Sequence, residues 1–127
     1  MRVLVVEPGK KPEVQEIDSS LSNMQKLVGG LIQTVYAFED PVALVANDEG
    51  KLLKQPMNRA LRDESGKIYD IVCGTFFLCG LGEESFTSLT DAQIEKFKKV
   101  FAVPDVFIQV AGGLLVLTED QEVDDEG

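Results

Sequence analysis

The sequence predicts one α+β domain: a mostly antiparallel sheet with two helices packed on one face. Three observations predict it. At 127 residues the chain has the size of a single domain and can bury a real core. Strand-like runs outnumber helical patterns, and the turns between them are short, which favours antiparallel neighbours. No internal repeat and no linker divides the chain. The expected order is β-β-α-β-β-loop-β-α-β over residues 1–118, with an acidic tail at 119–127.

Arg2 to Glu7 reads as the first strand, with a Pro8-Gly9 turn. Glu13 to Ile17 alternates polar and apolar residues, as a strand pairing with the first would. Asp18, Ser19 and Ser20 are candidate N-caps for a helix in which Leu21, Met24, Leu27 and Val28 recur at helical spacing. Gly29-Gly30 stops that helix, because glycine takes the left-handed C-cap conformation cheaply. Leu31 to Phe38 alternates again. After Glu39-Asp40-Pro41, Val42 to Ala46 is an apolar strand, and Asn47-Asp48-Glu49-Gly50 is a turn.

Ile68 to Leu81 is the longest β-rich run and reads as one central strand, bent or bulged at Gly74. Thr90 and Gln93 form a capping box that opens the clearest helix. Ile94, Phe97 and Phe101 make its inward stripe, Lys96, Lys98 and Lys99 face mostly outward, and Pro104 ends it. Phe107 to Leu117 is apolar but broken by Gly112-Gly113. It is expected as a last strand, a hairpin, or a segment that docks on a partner; pairing within the chain is favoured over pairing across a homodimer.

Composition narrows the function. The sequence has no histidine, which removes the commonest general base, the commonest zinc ligand and every imidazole triad. Two cysteines without histidine make no ordinary zinc site. No phosphate-binding loop or dinucleotide fingerprint is present. No catalytic residue, metal ligand or cofactor is therefore assigned. Read on one strand, Cys73 and Cys79 lie about 20 Å apart and are expected as small buried thiols. No run approaches a membrane span and the start lacks a signal-peptide pattern, so the expected setting is the cytoplasm.

The net charge is −10, which disfavours binding to DNA or to membranes. It is concentrated at one end. Residues 119–127 hold six acids and no base, and without them 16 acids face 12 bases. That segment is expected to be disordered, since like charges repel and little in it can be buried.

One stretch stands out. Asn47 to Leu61, NDEGKLLKQPMNRAL, is polar and proline-broken between two apolar runs. One reading makes it a connection: a turn at 47–50, a short helical turn starting at Pro56, and Leu61 as an anchor. The other makes it a binding site, in which Lys51, Asn58 and Arg59 converge and Arg62 extends a basic patch. Arginine offers a planar fork for a carboxylate or phosphate, and asparagine offers both a donor and an acceptor. Asn47, Glu49, Lys51, Asn58, Arg59 and Arg62 are the candidate contacts to a ligand or partner.

The segments MRVLVVEPGKKPEVQEI, LxxMQKLVGGLIQTV, NDEGKLLKQPMNRAL and DIVCGTFFLCG resemble a family of small proteins of bacteria, phages and mobile elements known as domain of unknown function 3846. The similarity runs over about residues 1 to 85. Its more specific parts are Q-x-x-V-G-G, here Gln25, Gly29 and Gly30, and N-x-E-G-K…P-x-N-R-A, here Asn47, Glu49, Gly50, Lys51, Pro56, Asn58, Arg59 and Ala60. Gln55 stands where the family pattern suggests an apolar residue. The resemblance implies an accessory protein of a mobile element and implies no reaction.

The leading expectation is a noncatalytic binding module for a protein partner or a small anionic ligand, monomeric or homodimeric. On that reading Arg59→Ala keeps the fold and loses binding. Two alternatives stand beside it: a DNA-mimic inhibitor of a nucleic-acid enzyme, motivated by the charge, and a nucleotide-binding or sequestering protein or small enzyme.

Overall fold

The computed structural model describes residues 1–118. The acidic segment 119–127 lies outside the described residues. The α+β class is observed, with every strand pairing antiparallel.

The main sheet is built from β1 (Arg2–Val6), β2 (Glu13–Glu16), β3 (Ile32–Val35), β4 (Val42–Asn47), β7 (Phe76–Leu81) and the short β8 (Phe86–Thr87). Its order is β2-β1-β7-β4-β3, with β8 also paired to β7. Two hairpins stand apart from it: β5 (Met57–Arg62) with β6 (Ile68–Cys73), and β9 (Asp105–Val110) with β10 (Gly113–Thr118).

The helices cover opposite faces of the main sheet, which corrects the expectation of one face. α1 (Leu21–Val28) places Met24 and Val28 on Val3, Val5, Ala43, Val45, Phe77 and Cys79. α2 (Asp91–Val100) places Ile94 and Phe97 on Leu4, Val6, Val42, Leu44, Phe76 and Leu78. The physical reason is in the strands. β4 is buried at every position and β7 at all but its last. Such continuous apolar runs suit a sheet covered on both sides, since alternate residues face opposite ways.

Both helices begin as their sequences suggest. Ser20 caps α1 by accepting from the Asn23 amide, and Gly29 ends it in the left-handed conformation at φ +83°. In α2 the Gln93 amide donates to Thr90 Oγ1 at 3.1 Å and the Thr90 amide donates to Gln93 Oε1 at 2.9 Å. Phe97 and Phe101 then meet Phe38 and Phe76 in tilted and edge-on contacts, the closest ring centroids being 4.6 Å apart. Burying each such ring contributes about 1.5–3 kcal/mol.

Two boundaries differ from expectation. The run Ile68 to Leu81 is two strands in two sheets, separated at Gly74, whose φ of +81° turns the chain. The single-strand spacing of Cys73 and Cys79 therefore does not hold, although both thiols are free. And the second half of the polar stretch is strand β5, with no helical turn at Pro56. The β5–β6 hairpin lays Leu61 and Val72 on the same core as α2, so hairpin and helix share one face of the sheet.

Candidate functional site

β5 carries a bulge. Met57 pairs with Cys73 and Arg59 with Val72, leaving Asn58 as the extra residue. A bulge re-aims side chains. Here consecutive Asn58 and Arg59 both turn inward, each 1% exposed.

Their polar groups are engaged by the protein itself. The two Asn58 Nδ2 hydrogens go to the Val6 and Gly74 carbonyls at 2.9 and 2.8 Å. Asn58 Oδ1 accepts from Arg59 Nη1 at 2.8 Å. Arg59 also donates from Nη1 to the Asn58 carbonyl, from Nε and Nη2 to the Phe101 carbonyl, and from Nη2 to the Lys10 carbonyl. That makes five bonds for five N–H groups. The knot ties β5 to the main sheet, to the turn after β1 and to the end of α2. Burial lowers the pKa of Arg59 from its ordinary value, and the charge of Asp105 opposes that shift.

The six candidate residues do not converge. Asn47, Glu49 and Lys51 line one cavity of about 330 Å³ between β4 and β6. There Lys51 Nζ pairs with Asp70 at 2.5 Å. Asn47 is 6% exposed; it donates to the Val28 carbonyl and accepts from the Glu49 amide. A Cβ on Gly30 would come within 2.8 Å of Asn47 Nδ2, so a side chain there would push the Asn47 amide from its place. Arg59 and Arg62 line a different cavity of about 290 Å³, between the β5–β6 hairpin and the end of α2. Asn58 lines neither.

The second cavity has the chemistry of a ligand cleft. Phe38, Leu61, Phe101 and Val103 give it an apolar floor. Arg62, Lys99 and Tyr69 stand at its polar edge, with Arg59 in its wall. Among the described residues Asp105 is the one acid lining it; its side chain is 3% exposed, takes the Ala60 amide at 2.9 Å and pairs with Arg62 at 3.1 Å. Among the described residues, Arg59, Arg62 and Lys99 line it against one carboxylate, so this part of the lining is positive in a protein of net charge −10. A cleft with low-dielectric walls focuses such a local field.

Lys99, Tyr69 and Asp105 were not among the sequence candidates. Lys99 read as one more outward lysine of α2, and nothing in the spacing ties it to Arg62. Only the packing of α2 against the hairpin brings them to one cavity. Among the described residues, no group of three or more His, Cys, Asp or Glu side chains is placed to hold a metal ion, and no helix is long and apolar enough to cross a membrane.

The motif segments meet in space as well. Gly29 and Gly74 both border the Gln55 side chain, and Gly30 borders Asn47, so the glycine pair, the loop and the turn between β6 and β7 share one packed junction. A family model described as Domain of unknown function (DUF3846) matches residues 1–102. The chain belongs to the DUF3846 family. The match takes in the main sheet, both helices and the β5–β6 hairpin, and it ends before β9. It extends past the stretch of sequence resemblance to include all of α2, and with it Lys99. No curated protein matches this DUF3846 chain, and no solved structure does.

Proposed function

We propose that the protein is a noncatalytic binding module whose ligand is a small amphipathic anion: a carboxylate or phosphate on an aromatic or short apolar body. The observation that carries this reading is the pairing of an apolar floor with Arg62, Lys99 and Tyr69 at the edge of one cavity. The apolar body lies against Phe38, Phe101 and Val103. The anionic head meets the Lys99 ammonium and the Tyr69 hydroxyl, in the field of both arginines. A volume of about 290 Å³ limits the ligand to the small end of the usual range. The resemblance to proteins of phages and mobile elements supports a role as an accessory factor there, acting in the cytoplasm.

The test is calorimetric titration with phenyl phosphate and benzoate, with neutral benzyl alcohol as the control. The anions are expected to bind and the alcohol is not. Lys99→Gln removes one exposed cation without touching the core, and is expected to weaken the anions about tenfold, or about 1.4 kcal/mol. Equal affinity for the alcohol, or an unchanged affinity in Lys99→Gln, sinks the assignment.

A further inference from the structure

A third cavity, of about 520 Å³, opens on the other face of the main sheet, on the side that α1 covers. It shares no lining residue with the cleft. Val35 and Ala37 pack on the core beneath α2, so alternation turns Tyr36 towards the α1 side. There Tyr36 stands 68% exposed beside Met24, Leu81 and Phe86, which form an apolar floor. The connection from β7 to β8 supplies the rim. Leu81 pairs with Phe86, and the Gly82 amide donates to the Ser85 carbonyl at 2.9 Å, which leaves Glu83 and Glu84 at the tip of a closed turn. Both glutamates line the cavity, and among the described residues no lysine or arginine does. Among the described residues, the side chains of Tyr36, Glu83 and Glu84 take part in no hydrogen bond, ion pair or ring contact.

Two hydrated carboxylates alone are not a site. What distinguishes this rim is the bare aromatic ring beside them, with an apolar floor below. Carboxylates attract any cation, whereas the negative face of an aromatic ring favours an organic one held against it. A hard metal ion takes a cage of oxygens, which aromatic, aliphatic and thioether walls do not provide. We infer that this cavity binds a small organic ammonium ion. Its alkyl part lies on Met24, Leu81 and Phe86, its charged nitrogen lies over the Tyr36 ring, and Glu83 and Glu84 hold the positive charge from the rim. The volume falls within the ordinary range for a small-molecule site. The protein then carries cavities of opposite charge on opposite faces of one sheet. This assignment stands independently of the anion in the positive cleft.

The experiment is a titration of the isotope-labelled full chain with choline, followed by amide chemical shifts. Neohexyl alcohol, in which carbon replaces the ammonium nitrogen, is the neutral control, and sodium chloride at matched ionic strength is the salt control. Choline is expected to shift the amides of Tyr36 and of residues 81–86 along a saturating curve that neither control reproduces. Tyr36→Leu keeps an apolar wall and removes the ring face, and is expected to weaken choline about threefold. Glu83→Gln combined with Glu84→Gln is expected to weaken it about tenfold. These three side chains are exposed and hold nothing else in place, so the variants keep the fold, which their amide spectra confirm. The absence of a saturating shift at these amides overturns the inference. An equal response to the alcohol does so too, since it reduces the cavity to an apolar hollow. So does a response that sodium reproduces, or an affinity unchanged in Tyr36→Leu, either of which leaves only the attraction of two carboxylates.

Discussion

Arg59 has five N–H groups, and each faces an oxygen of the protein. Truncating it strands the Phe101 carbonyl and Asn58 Oδ1 in a buried place. An unsatisfied buried group costs about 1–3 kcal/mol. Arg59→Ala is therefore expected to lower stability by about 3 kcal/mol or more, measured by urea denaturation. This reverses the expectation that the variant keeps the fold. Arg59→Lys does not rescue it, since an ammonium cannot reproduce the planar fork. From sequence alone, Asn58 and Arg59 read as grips for a ligand because donors of that kind serve either use, and burial is what decides. Cys79 shows the same dependence on surroundings. Buried at 0% exposure, its thiol is pushed up from 9.0 to about 12. The unfolded chain then releases this proton first. The stability that the neutral thiol contributes is complete below pH 9 and is lost as pH rises towards 12, at about 1.4 kcal/mol per unit. Cys79→Ala is expected to flatten that slope in melts at pH 9 to 11; an identical slope would place its origin elsewhere.

Among the elements, those with local signals were legible. The Thr90–Gln93 box, the Ser20 cap and the Gly29 stop each act within a few residues, so sequence spacing shows them. β5 was hidden because its inward residues are polar: Asn-Arg in a strand breaks the apolar pattern, and the bulge that accommodates them depends on β6. The boundary at Gly74 was half-legible. A glycine in a β-rich run marks a bend, yet only the sheet topology shows that the chain leaves one sheet for another there. Gly74→Ala meets both a positive φ of +81° and the Gln55 side chain, with Oε1 2.0 Å from the added Cβ. It is expected to destabilise by about 1–3 kcal/mol. Adding Gln55→Ala should recover part of that loss, because it removes the clash and leaves the backbone strain. A double-mutant cycle in urea checks this, and a strictly additive cycle would mean that the two residues do not meet.

At the scale of the whole molecule, the antiparallel α+β class followed from strand count and turn length, whereas the placement of the helices did not. Covering both faces of the sheet is a property of β4 and β7 together, and it is what leaves one face to be shared by α2 and the β5–β6 hairpin. The cleft lies along that shared boundary. Residues 59–62 and 99–105 lie far apart in the chain and meet only once both elements have docked. In this arrangement Arg59 builds the cleft and Lys99 serves it. Thermal melts of wild type, Arg59→Lys and Lys99→Gln, each with and without phenyl phosphate, test that division most directly through ligand linkage. The expected result is a wild type whose melting temperature rises with ligand, a Lys99→Gln protein of ordinary stability that barely responds, and an Arg59→Lys protein that melts early without ligand. An Arg59→Lys protein that melts like wild type but ignores the ligand would contradict it, and would return Arg59 to the role of a binding residue.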